Sequence, residues 1–168
     1  MSSGDGPDDE AVILSPYGDD VEPTESSACP LHESGADPRY LTGQRIERVL
    51  ASWHIHDAEE PSGPLDIWFV DSTGTYIHVT TGSDWCLIVE TAAPFPDYDM
   101  AEWGRVVVAP ITGETPFANH VGKIVRSVRE ERELNTGRIA LEVMFESGGV
   151  RCESWSGELR LASIPHRC

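Results

Sequence analysis

Apolar and polar residues alternate along most of this chain, and the alternating stretches form two series that run in the same order. A period of two sends successive side chains to opposite faces of a strand, which commits the chain to sheets rather than helices. The first series opens with Gly43-Gln44-Arg45-Ile46-Glu47-Arg48-Val49 and the second with Gly122-Lys123-Ile124-Val125-Arg126-Ser127-Val128. Both read G-x-x-(I/V)-x-x-V. Leu65, Ile67 and Phe69 then correspond to Leu141, Val143 and Phe145. A turn follows in each, Asp71-Ser72-Thr73-Gly74 or Ser147-Gly148-Gly149. After it come a short strand, a tryptophan (Trp85, Trp155) and a closing pair, Leu87 and Val89 or Leu159 and Leu161. A single match would carry little weight. The ordered series points to an internal duplication.

Within the first unit the pattern puts Val49, Ala51, Trp53 and Ile55 on one face. Leu65, Ile67 and Phe69 share that face, as do Tyr76, His78 and Thr80, and then Trp85, Leu87 and Val89. In the second unit Ile139, Leu141, Val143 and Phe145 face inward, while Ala140, Glu142, Met144 and Glu146 face outward. Residues 126–135 have only Val128 and Leu134 as apolar residues, so they read as a strand ending in a turn over Leu134-Asn135-Thr136-Gly137. Each unit is therefore expected to be a four-stranded antiparallel meander.

The expected fold is all-β, with the two similar meanders packed as a sandwich or a partly closed barrel. Residues 41–168 form one domain, with repeats at about 41–91 and 120–163. The Pro-rich connector between them is expected to hold a strand at Val106–Ala109 and one or two helical turns over Asp97–Gly104. Residues 1–40 read as a disordered acidic tail, because their high charge leaves little to bury against the entropy of ordering. Ala11-Val12-Ile13-Leu14 is its one apolar run and a candidate docking segment. The first unit also has apolar residues at the alternate positions Trp68, Val70, Ile77, Val79 and Ile88. Its outer face therefore needs a cover, either the connector or another subunit, and it is a candidate surface for a homo-oligomer or larger assembly.

Charge narrows the function. The formal net charge is −17, and residues 49–104 hold ten acids and no Lys or Arg. Phosphate backbones and anionic membrane surfaces both call for cations, so neither nucleic acid nor membrane is an expected partner. The opening residues lack a basic and apolar leader, and the four cysteines form no paired C-x-x-C framework. The expectation is a cytoplasmic protein with reduced thiols.

Few motifs suggest catalysis. His54 and His56 lie two apart on an expected strand, about 7 Å from each other on one face, which is a way to begin a metal site. A third ligand would come from His78, Asp57 or Glu59. Cys29-Pro30-Leu31-His32 is half a zinc motif with no second half. There is no nucleophile elbow, phosphate loop or dinucleotide fingerprint, and no cofactor is expected. The remaining signal is an acidic stretch interleaved with aromatics, which suits a basic protein partner. Its expected contact residues are Asp57, Glu59, Glu60, Trp68, Asp97, Tyr98, Asp99, Glu102 and Trp103.

The leading expectation is a non-enzymatic protein-binding module, for instance an inhibitor or immunity-type protein. One alternative is a small β-barrel enzyme or ligand-binding protein with a pocket between the repeats, with His54 and His56 as its candidate metal ligands. Another is a structural subunit of a larger assembly.

Overall fold

The alternating stretches form ten strands in two antiparallel sheets in a computed structural model that describes residues 35–167, apart from Ala58 and Ser62. Strands β1 (Ile46–Ile55), β2 (Asp66–Asp71), β3 (Tyr76–Thr81) and β4 (Leu87–Thr91) make the first meander. The second consists of β7 (Ser127–Glu133), β8 (Gly137–Phe145), β9 (Gly148–Trp155) and β10 (Glu158–Ile164). The connector supplies β5 (Tyr98–Asp99) and β6 (Arg105–Pro110), which extend the first sheet beyond β1. The sheet orders are β4-β3-β2-β1-β6-β5 and β10-β9-β8-β7, and neither closes into a barrel. Most of the tail, including Ala11–Leu14 and Cys29–His32, lies outside the described residues. Residues 35–40 belong to the fold: the Ala36 N–H donates to the Val89 carbonyl at 2.7 Å, and Pro38 is buried in a 3-10 turn over Pro38–Leu41.

The core lies between the sheets. Val49, Ala51, Ile67, Phe69, Ile77, Val79, Leu87 and Val89 come from one side, and Leu141, Val143, Phe145, Val150, Cys152 and Leu159 from the other. At about 25 cal/mol per Å2 of apolar surface removed from water, burying side chains of this size is the main term holding the sheets together. Two short segments lock the halves to each other. The Gly43 N–H donates to Val125 O and the Gly122 N–H donates to Ile46 O. Likewise Val125 N–H donates to Gln44 O and Ile46 N–H to Lys123 O, around the isolated bridge between Arg45 and Ile124. Under the correspondence of Gly43 with Gly122, each bond maps onto another of the set. Gly43 and Gly122 both adopt left-handed backbone, with φ of 83° and 80°.

Two expected facings are corrected. In β3 it is Ile77 and Val79 that enter the core, whereas Tyr76, His78 and Thr80 face the other way; Ile77 pairs with Phe69 and Val79 with Ile67. Trp85 is not a core residue, because it precedes β4 in a turn with φ of 67° and stays exposed. Ala140 keeps the outer face of β8, paired with Glu131 and Glu153, and is buried there, while a bulge at Glu131/Arg132 turns the buried Arg138 toward the first sheet.

The outer face of the first sheet is covered from within the chain. After β4 the backbone must reach the opposite edge to form β5, and on the way it lays Phe95 edge-on against Trp68, with ring centroids 5.2 Å apart at 80°. Trp68 is fully buried. The expectation of an assembly surface on Trp68, Val70, Ile77 and Val79 is therefore corrected: the first two are buried on the covered face, and the other two lie in the core. Among the described residues, no helix is long and apolar enough to cross a membrane.

Candidate functional site

The pairing of β1 with β6 decides which acidic residues meet. Ile55 pairs with Arg105, so the β1–β2 loop with Asp57, Glu59 and Glu60 lies at the same end of the sheet as the β5–β6 loop. That second loop makes a 3-10 turn at Ala101–Trp103. The Asp99 carboxylate accepts from the Ala101 N–H at 2.7 Å, and Gly104 closes the turn at φ of 92°. Glu59, Glu102 and Trp103 then border a shallow concavity of about 540 Å3, with His54 and His56 as its back wall. Trp103 is 67% exposed and Tyr98 47%. Asp57 and Glu60 are exposed as well. Asp97 accepts from the Val108 N–H at 2.8 Å, tying β5 to the sheet. Eight of the nine expected contact residues thus lie on the β1–β2 loop or the β5–β6 segment. Trp68 does not, since Phe95 covers it.

The two histidines hold this edge in place. His54 Nε2 donates to the Trp103 carbonyl at 2.5 Å, and His56 Nε2 donates to the Glu102 carbonyl at 3.2 Å. A carbonyl oxygen only accepts, so each ring carries a proton on Nε2. The rings lie 6.4 Å apart and 21° from parallel, as expected for strand neighbours on one face. His56 Nδ1 is 3.6 Å from the Asp57 carboxylate. Among the described residues, no group of three or more His, Cys, Asp or Glu side chains is placed to hold a metal ion.

His78 is far from that pair and sits in a buried polar row across the outer face of the first sheet. Its Nε2 meets Asp66 Oδ1 at 2.8 Å and its Nδ1 meets Glu90 Oε1 at 2.9 Å, while the Ser52 hydroxyl donates to Asp66 Oδ2 at 2.5 Å. Burial alone would lower the imidazole pKa, but the two carboxylates outweigh it and raise it above the ordinary 6.5. Burial would likewise raise Asp66, yet hydrogen bonds from His78 and Ser52 bring it below the usual carboxylate value. The row contains serine, histidine and carboxylates, but in the wrong order for nucleophilic catalysis. Ser52 bonds to Asp66 and not to the imidazole, so the hydroxyl lacks the histidine partner of a Ser-His pair. Sequence spacing gave no sign of this row, because each contact joins a different pair of strands.

A second concavity lies where the first sheet outruns the second. It is a cleft of about 730 Å3 whose wall is the inner face of β1 and β6, with Trp53, Ile55, Val107 and Ala109. Leu159, Arg160 and Leu161 of β10 line its opposite side. Glu60 stands at the β1–β2 loop and Glu114 at the β6–β7 loop. The molecule is thus an open two-sheet β-sandwich with an acidic aromatic edge and a cleft between its sheets. Comparison with models of protein families, with curated proteins and with solved structures finds no match.

Proposed function

We propose that this chain is a protein-binding module whose acidic edge receives a basic protein, as an inhibitor or immunity-type protein would. One observation carries the reading. Two loops about forty residues apart in sequence converge beside β1, and they surround the exposed Trp103 with carboxylates from both. Exposed tryptophan and tyrosine are the side chains most often found to anchor interfaces, and a one-signed rim speeds encounter with the opposite charge. The histidine bonds to the carbonyls of Glu102 and Trp103 hold the anchor ready, which lowers the ordering cost of binding. The cleft between the sheets lies where a ligand-binding protein would have its pocket, and it shares Glu60 with the acidic edge.

The test is affinity capture from the source cell followed by titration of the purified partner at low and high salt. The reading expects a basic protein whose affinity falls steeply with salt and drops about tenfold or more in Trp103→Ala. A neutral or acidic partner indifferent to salt overturns it, and so does a basic partner that Trp103→Ala binds unchanged.

A further inference from the structure

We propose that the cleft between the sheets is a strand-addition site, in which an extended basic segment of the partner pairs with the free edge of β10. This rests on the basic-partner reading and gives that partner a geometry. Among the described residues, β10 pairs with β9 alone and is the last strand of its sheet. A two-residue turn at Ser156-Gly157, with φ of 52° and 85°, joins the two strands. Such a turn makes Trp155 and Glu158 a hydrogen-bonded pair, so Glu158, Arg160, Ala162 and Ile164 spend their backbone groups on β9. The N–H and C=O groups of Leu159, Leu161 and Ser163 point the other way, out of the sheet.

That edge opens into the cleft. Three consecutive residues, Leu159, Arg160 and Leu161, line it, which means that the strand presents its edge there and not one face. An added strand would send alternate side chains onto Trp53, Ile55 and Val107, the apolar inner face that the second sheet leaves uncovered. Long exposed edges are usually blunted by lysine, proline or a bulge. β10 has no lysine and no proline over its seven residues, and its pairing with β9 runs without a shift.

The charge around the cleft selects a basic occupant. Glu60 and Glu114 stand at the two loops bordering it, while the guanidinium of Arg160 stacks over Trp155, 4.7 Å from the ring centroid. Glu60 also belongs to the loop carrying Asp57 and Glu59, so a segment lying along β10 continues into the acidic edge. Main-chain bonds would give affinity and the apolar wall would choose the alternate side chains.

The experiment uses the full chain and three nine-residue probes: an alternating Val/Lys peptide, the same peptide N-methylated at every second amide, and an alternating Val/Glu peptide. The expected result is binding of the first, with amide exchange at Leu161 and Ser163 slowed at least tenfold, and at least tenfold weaker binding of the other two. Ser163→Pro removes an outward N–H without touching the β9 ladder, and it should weaken the Val/Lys peptide while leaving the melting temperature unchanged. Equal binding of the N-methylated peptide, or binding without protection of β10, overturns strand addition. In those cases a salt-sensitive basic partner bound through Trp103 still upholds the acidic-edge reading. Pairing of β10 between two copies of the chain, seen as a doubled mass that excludes the peptide, also overturns it.

Discussion

The indole of Trp68 lies flat on the imidazole of His78, with ring centroids 4.7 Å apart and planes 7° from parallel. Asp66 and Glu90 take the two nitrogens of the same ring, so its protonated form is favoured from both edges and from the π face. Under the crossover this makes a buried cation between two buried or half-buried carboxylates, and stability follows its titration. Because the folded pKa of His78 is raised above 6.5, its contribution is complete below that value and is lost as pH rises through the folded pKa. Asp66 is lowered, so its contribution is present above about 4 and is lost as pH falls through its folded pKa. Urea midpoints should therefore decline as pH rises from about 6.5 through His78's folded pKa and level off above it, and His78→Gln should flatten that decline. An imidazole titration by NMR with a midpoint at or below 6.5 would contradict the arrangement.

Gly104 is the tightest backbone approach on the acidic edge. A Cβ there would collide with the Ile55 carbonyl oxygen and lie 3.1 Å from His54 Nε2, in a backbone region that L side chains avoid. Gly104→Ala should cost about 2–4 kcal/mol in denaturant unfolding. His54→Ala, which removes one hydrogen bond to the same turn, should cost about 1 kcal/mol. Exchange at the Gly104 amide, which bonds to Ala101 O, should speed up in the histidine variant.

Arg138 is the buried cation of the second sheet. Its Nε donates to Glu130 at 2.6 Å and its Nη1 to the Leu87 carbonyl at 3.4 Å, which ties β8 to β4 across the sandwich. Arg138→Ala opens a void beside Glu130, which retains Arg132 at 3.2 Å, and should cost about 2–4 kcal/mol, with Arg138→Met recovering part of the loss. The exposed pair Arg126–Glu146 offers the comparison, and Arg126→Ala should leave the unfolding midpoint where it was.

Cys152 lies in the core, where burial pushes its thiol up to about 12. The thiolate is the reactive form, so Cys152 in the folded protein should resist alkylation at pH 8 and react once urea unfolds the chain. Mass mapping of the labelled cysteine checks this, and rapid native labelling at Cys152 would refute it.

The strands were legible because alternation is local, and so were turns such as Leu134-Asn135-Thr136, whose chemistry is local too. The facing of β3 was not. Both Tyr76/His78/Thr80 and Ile77/Val79 satisfy a period of two, and the choice depends on what waits on each side of the sheet. His78 finds its partners on β2 and β4 and its stacking ring in Trp68, which Phe95 covers, none of them near it in sequence. Trp85 shares a face with Leu87 and Val89 by a period of two, while a positive φ in the turn before β4 sends it outward. The acidic residues were visible as a composition. Their gathering at one edge depends on β1 pairing with β6, some fifty residues away, which no local pattern encodes.

The reciprocal bonds between Gly43–Ile46 and Gly122–Val125 behave as a twofold axis would, leaving the set unchanged when the halves trade places. Almost everything that breaks this local symmetry comes from the stretch between the two meanders. That stretch supplies the Phe95 cover, the Trp103 anchor and, through β6 and Glu114, one wall and one rim of the cleft. The paired meanders are the frame, and whatever distinguishes this protein from a bare frame is concentrated in about thirty residues inserted between them. If the proposed reading holds, exchanging that insert with the frame kept would exchange the partner.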